Sequence, residues 1–299
     1  IGIFDERGTG LGGKGFRGWS GGARSEFFIR ADDATPGYIP GPVHAGTWNI
    51  ALGPYTVAPQ GLPYEVTITL TYGAPGSTPK PKYPPERAKG RGRAWYRGDC
   101  HLHTWYSDGR RTPAEIGALA RAAGLDFINS SEHNTQSAHA HWSEVAGDDL
   151  LVLLGEEITT RNGHVLALGT DPGTFVDWRY RARDNRFGHY ARQIRRSGGL
   201  VVPAHPHATC VGCNWKFGFG EADAVEVWFK EKFKDDTHFL PLLVRVPETV
   251  TNGYHTLLLA PDGSKEGWKE SDRGDVMRQE FIMRLTKDAY DDGSNPWDW

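Results

Sequence analysis

Cysteine is scarce, with three in 299 residues. That is too few for a disulfide framework, and the odd number leaves at least one unpaired within the chain. Long apolar runs are missing too: stretches such as 150–154 and 257–260 fall far short of the ~20 residues that span a bilayer. No basic head followed by an apolar run marks a signal peptide. The chain opens at Ile1 rather than at methionine, so a removed leader stays open, and the cytoplasm is the default location. Neither sign of charge dominates, since 34 Lys and Arg face 37 Asp and Glu for a net −3. Nucleic acid is therefore not expected as the main partner, although Arg179, Arg181, Arg183 and Arg186 form a local basic patch. With 38% hydrophobic and 24% charged residues, the composition is that of a folded chain of about two domains, and it excludes a disordered, collagen-like or disulfide-stapled class.

Gly and β formers fill the first 75 residues. Strands are expected over 25–30, 46–52 and 64–72, the last because it alternates polar and apolar side chains over a full strand length. The Gly-rich stretch 8–22 reads as a loop. A small all-β sandwich over 1–75 is the expected object. From 76 to 93 recur Pro79, Pro81, Pro84 and Pro85, which suit neither a helix nor a central strand and mark a linker. The remainder, 94–299, alternates element types. Thr112, Pro113 and Glu115 form a capping box with proline at the first helical position, and Ile116, Leu119, Ala120 and Ala123 are expected on the buried face. Strands follow at 125–129, 150–154, 165–168, 200–203 and 224–228, with a helix over 187–196. Such alternation predicts an α/β fold, either a β/α barrel or a layered domain.

The chemistry-bearing residues recur at the ends of these apolar strands. His101 and His103 lie two apart, so an extended backbone points both rings to one side. Asp108 follows at a turn. The strand at 125–129 runs into Glu132 and His133, that at 150–154 into Glu156 and Glu157, that at 200–203 into His205 and His207, and that at 224–228 carries Glu226. His164 begins its strand, so a chain that doubles back is needed to bring it to the same rim. Histidines sharing carboxylates suit Zn²⁺, Mn²⁺ or Fe²⁺. A carboxylate can bridge two ions around a hydroxide nucleophile, and Glu157 or its neighbour Glu156 is the candidate.

These motifs resemble a family. Gly98-Asp-Cys-His-Leu-His-Thr104 with Ser107-Asp-Gly109, Glu132-His-Asn134, Gly155-Glu-Glu-Ile-Thr-Thr160 with Gly163-His164, and Ala204-His-Pro206 look like the PHP (polymerase and histidinol phosphatase) metallohydrolases, CehA/McbA-like branch. The segments 15–24 and 35–41 resemble the β-sandwich that precedes the barrel in that branch, and the likeness covers roughly residues 1–228. It implies a distorted seven-stranded β/α barrel, two or three divalent ions at its mouth, and hydrolysis of phosphate esters. By resemblance the metal ligands are His101, His103, Asp108, His133, Glu157, His164 and His205. His101 and His103 would share one ion with Glu157, His164 and His205 the second, and Asp108 with His133 would hold a third. Glu132 stands where the family places an aspartate. The family's closing Ser-Asp-x-His run is absent after Trp228, and Asp236, His238 and His255 are stray candidates for its role.

The expected activity is a phosphoesterase on a small-molecule ester, including one with an aryl leaving group walled by Trp105, Trp142, Trp178 or Trp215. Glu157 would bridge, Arg161 would bind a substrate oxygen, and His207 would assist the leaving group. The same centre suits a carboxylic or carbamate ester, and a catalytically inactive binding protein on this scaffold is the reading from another class. Cys210-Val-Gly-Cys213 reads as a loop beside the metal mouth, and Cys100 as a buried inert thiol. The tail is expected as strands over 240–246 and 256–260 and a helix over 276–290. Neither membrane nor nucleic-acid partners are expected, and the oligomeric state is open.

Overall fold

A computed structural model describes residues 1–54, 56–74, 76–90, 94–206, 208, 210–227, 242–245 and 282–285. The body is mixed α/β. Strand β1 (Gly2–Phe4), β2 (Phe16–Trp19) and β3 (Asn49–Ala51) form a three-stranded antiparallel sheet in the order β2-β1-β3. Then come β4 (Ala94–Leu102), α1 (Pro113–Ala122), β5 (Phe127–Ser130), β6 (Leu151–Leu154), β7 (Glu156–Thr160), β8 (Gly163–Leu168), α2 (Phe187–Arg196), β9 (Leu200–Ala204) and β10 (Ala224–Val227). Two further strands, β11 (Leu242–Arg245) and β12 (Ile282–Leu285), lie in the tail.

The pairings run β12-β4-β5-β6, β7-β8-β9 and β10-β11. Strands β4, β5 and β6 are parallel, whereas β7, β8 and β9 are antiparallel. An isolated parallel bridge between His133 and Glu157 links the first group to the second. Among the described residues no ladder closes these sheets into a barrel. No helix among them is long and apolar enough to cross a membrane.

Apolar periodicity explains the body. On α2, Phe187, Tyr190, Ala191 and Ile194 are buried at the i, i+3, i+4, i+7 spacing of one helical face, and they pack with Ile158, Val165 and Val201. Behind the parallel strands, Phe127, Leu151, Leu153, Leu166 and Val202 make a second core, each fully buried side chain contributing about 1.5–3 kcal/mol. Gly98 fits there because a Cβ would stand 2.3 Å from the Phe127 ring. The Thr112 capping box forms as expected. The buried face of α1 is rotated, however: Pro113, Gly117 and Ala120 face inward, while Leu119 is 46% exposed. Gly117 decides this, since it lets the helix close on the Val145 side chain.

Several expectations fail in the first 75 residues. The stretch 64–72 forms no strand, and Tyr64, Ile68, Leu70 and Tyr72 are each more than two-thirds exposed; among the described residues its alternation has no neighbouring strand to pair with. The 25–30 segment contributes only a bridge from Ile29 to Ala34. The supposed loop 8–22 contains β2, all four of whose residues are buried. Phe4, Phe16 and Trp19 pack against Phe175 and Trp178 of the body, so this sheet shares its apolar face with the α/β unit. In the tail, the helix expected over 276–290 is overturned at its centre, because β12 pairs antiparallel with Ala94–Arg97 on the open edge of β4. An unpaired edge offers a ladder of backbone hydrogen bonds that a short isolated helix cannot match. Asp236, His238, His255 and 256–260 lie outside the described residues, as does His207.

Candidate metal centre

Strand β4 ends in the His101-Leu-His103 motif, and its extended backbone sends both rings inward. Alternation along β7 then separates two adjacent carboxylates. Glu156 and Ile158 face the core packed under α2, where Glu156 Oε2 accepts the Val176 N–H at 2.8 Å. Glu157 faces the other way, into a ring of imidazoles, and is fully buried. The hairpin from β7 to β8 is the doubling back that His164 requires. Gly163, at φ +116°, takes a backbone conformation that favours glycine, and the register sets His164 opposite Thr159.

Five histidines converge on Glu157. Its Oε2 lies 3.1 Å from His101 Nε2, 3.2 Å from His103 Nε2 and 3.0 Å from His133 Nδ1. Its Oε1 lies 2.8 Å from His164 Nδ1 and 2.9 Å from His205 Nε2. Asp108, 58% exposed, approaches His103 at 3.9 Å and His133 at 3.6 Å. All seven residues proposed as ligands therefore share one locality, though their grouping differs from the expected sharing. Three-residue sets whose donor atoms lie within 4.8 Å of one another are His101, Glu157 and His205; His103, Asp108 and His133; and His133, Glu157 and His164.

The polar bookkeeping within the cluster does not balance. Among the described residues Glu157 Oε2 has three ring nitrogens within 3.2 Å yet forms no hydrogen bond of acceptable geometry, and His205 Nδ1 is likewise without a partner. Buried polar atoms left without partners beside a ring of imidazoles are what a cation can relieve. Burial opposes ionisation of Glu157, but the charges of His133 and His101 outweigh it and hold the carboxyl well below the usual range. Burial likewise opposes a charge on His101, and Glu226 and Glu157 together raise it well above the ordinary histidine value. For Glu156 burial prevails and drives the carboxyl well up; Asp99, also buried, is pushed up to about 6.

Residues around the ligands fix their orientation. Glu226 Oε1 stands 2.7 Å from His101 Nδ1, and its Oε2 accepts the His205 backbone N–H at 2.6 Å. A carboxylate on the far ring nitrogen is the usual device for orienting a metal-binding histidine. Sequence reasoning noticed Glu226 at a strand end without assigning it that role; its position on the strand after the His205 strand was the available signal. Glu132 accepts the Thr104 N–H at 3.0 Å and the Ser107 hydroxyl at 2.5 Å, bracing the turn that presents Asp108. Thr159 Oγ1 lies 2.5 Å from His133 Nδ1.

Other candidates fall elsewhere. Arg161 is exposed and donates to the Pro54 carbonyl, so the structure ties it to the N-terminal segment rather than to the imidazole ring. Trp142 is fully buried, Trp215 packs edge-on to Phe187 and Trp178 packs with Phe16 and Trp19, which leaves Trp105, 41% exposed, as the candidate for lining an approach. Cys100 is buried and free. Cys213 is buried, and its Sγ lies 3.9 Å from His164 Nε2, which puts the CxxC loop beside the cluster.

No family model matches this sequence, and no curated protein does. One solved structure with which it aligns is a two-domain protein containing a predicted PHP-like metal-dependent phosphoesterase from Bacteroides vulgatus, at 21% identity and a TM-score of 0.30. The alignment covers 44% of this chain and 40% of that one.

Proposed function

We propose that this chain is a metal-dependent hydrolase of the PHP type, and within that class a phosphoesterase acting on small-molecule esters. The observation that carries this reading is Glu157, a fully buried carboxylate among five imidazoles with one oxygen unsatisfied. Its donor set of imidazoles and carboxylates suits Zn²⁺, Mn²⁺ or Fe²⁺ better than Mg²⁺ or Ca²⁺. His101, His205 and Glu157 would hold one ion, His133, His164 and Glu157 another, and Asp108 with His103 and His133 a third position. When bound, such ions polarise an ester and make water nucleophilic near neutral pH. Glu226 aims the His101 ring, Glu132 fixes the turn behind Asp108, and Thr159 holds the His133 ring. Trp105 offers an aromatic wall to a leaving group.

Elemental analysis of desalted protein, paired with hydrolysis of p-nitrophenyl phosphate, bis(p-nitrophenyl) phosphate and p-nitrophenyl acetate, tests this. Two or more transition-metal ions per chain and chelator-sensitive cleavage of a phosphate ester are expected. One ion or none, or cleavage indifferent to chelation, overturns the proposal. Cleavage of the acetate alone retains the metal hydrolase and moves its substrate to carboxylic esters.

A further inference from the structure

The Cys210–Cys213 pair takes no part in the centre just described, yet it touches it. One nitrogen from His164, one from His205 and the sulfur of Cys213 lie within 4.8 Å of one another, a fourth three-donor set that draws on two rings already used by Glu157. His164 directs Nδ1 at Glu157 and Nε2 at Cys213 Sγ, the latter 3.9 Å away. His205 Nδ1 has no hydrogen-bond partner among the described residues. The thiol end is buried at Cys213 (3% exposed), while Cys210, to which a disulfide joins it, is exposed.

The loop is held in place independently of that disulfide. Gly163 N–H donates to the Gly212 carbonyl at 2.8 Å, Lys216 N–H to Asn162 at 2.9 Å and Cys213 N–H to Cys210 at 3.2 Å. Two of these bonds run to the turn of the hairpin that carries His164. None of these bonds needs the disulfide, so once it is opened they would keep Cys213 facing the same two imidazoles.

We propose that Cys213 is a redox-gated sulfur ligand, supplying the third donor to a Zn²⁺-class cation at His164 and His205 only when the Cys210–Cys213 disulfide is reduced. A dithiol reductant provides two electrons and two protons, becoming a disulfide itself as Cys210 and Cys213 become thiols. On coordination the Cys213 thiol releases its proton to solvent and its sulfur binds the cation. In the oxidised chain both sulfurs are committed to each other, and His164 and His205 serve only the Glu157 side. Reduction thus adds a soft donor and shifts the cluster's preference toward thiophilic metals. The proposal rests on the reading of His164 and His205 as ligands.

Cobalt(II) titration of the full chain tests it, because a cobalt–sulfur bond gives a charge-transfer band in the near ultraviolet that nitrogen and oxygen ligands do not. Expected are a band in the reduced protein, none in the oxidised protein or in Cys213→Ser, and a band indifferent to oxidation in Cys210→Ser, which cannot form the disulfide. The reduced protein should also hold one cation about tenfold or more tightly than Cys213→Ser. Cobalt bound without the band overturns the sulfur ligand and leaves the hydrolase centre standing. A band that persists in Cys213→Ser assigns the sulfur elsewhere and overturns the proposal. Failure to bind cobalt in either redox state removes both this inference and the proposed function.

Discussion

Two clusters of charge are withdrawn from water in this protein, one in the N-terminal sheet and one in the α/β body, and they are satisfied in opposite ways. Arg17 on β2 is 4% exposed and spends its guanidinium on the carbonyls of Ile39, Gly41 and Pro42 at 3.0–3.2 Å, with Asp5 at 3.5 Å. Asp5 in turn accepts from Arg7, including its Nε at 2.9 Å. Donors meet acceptors and the set is closed. Around Glu157 five ring nitrogens crowd two carboxylate oxygens, and among the described residues both Glu157 Oε2 and His205 Nδ1 remain unmatched. A buried charge network that closes on itself is architecture; one that does not close calls for a ligand.

The sharpest way to break that contrast is Glu157→Gln. Removing the charge from the centre of five imidazoles should abolish metal retention and hydrolysis together, measured by elemental analysis and turnover. Glu156→Gln, on the opposite face of the same strand, should keep its metal. If both variants keep their metal, the carboxylate is not what gathers the ions. In the closed cluster, Arg17→Met leaves Asp5 and three carbonyls with fewer partners and should cost about 3–5 kcal/mol in urea unfolding, with metal content unchanged.

A third test compares histidines. His139 is fully buried, facing the Gly155 carbonyl through Nε2 at 2.8 Å and accepting the Gly173 N–H on Nδ1 at 3.1 Å. It is a closed neutral imidazole, and burial pushes its pKa from 6.5 down to about 4 despite the Gly155 hydrogen bond. Because the folded state prefers the neutral ring, the stabilisation is complete above pH 6.5 and is lost as the pH falls toward 4, about 3 kcal/mol in all. Unfolding free energies of wild type and His139→Gln across that range should converge as the pH falls. Parallel curves would refute it. The smallest effect is expected at Asp108, exposed and 3.6–3.9 Å from its histidines, where Asp108→Asn should weaken retention of one ion only about tenfold, read by competitive chelation.

How much of this was legible beforehand follows from where periodicity and function coincide. Helix α2 and strands β5, β6 and β9 were readable because their apolar residues repeat at the spacing of the element they form. Strand β7 was hidden, since Glu156, Glu157, Thr159 and Thr160 make a polar run whose inward face is the site itself. The 64–72 stretch misled in the opposite direction: its alternation is intrinsic, while a strand also needs a neighbour. The candidate ligands were visible as motifs, and alternation at Glu156 and Glu157 was the missing step that turns the second of them toward the histidines. The partnership of Glu226 with His101 spans 125 residues, and no local pattern encodes it.

The wide spacing of these groups also sets an order of assembly. The residues that meet around Glu157 come from His101 to Asp108, His133, the β7–β8 hairpin with Glu157 and His164, His205, and finally Glu226. An unfolded chain offers a metal only weak local pairs, because each long loop must be closed before the next donor arrives. Cation binding at the proposed centre would therefore be coupled to a nearly complete fold, and a free ion at a hundred times its dissociation constant would favour the native state by about 2.7 kcal/mol. During synthesis the histidine pair emerges first and the carboxylate that steadies it emerges last. An ion bound there would be a late arrival that locks a finished scaffold, and it would not seed one.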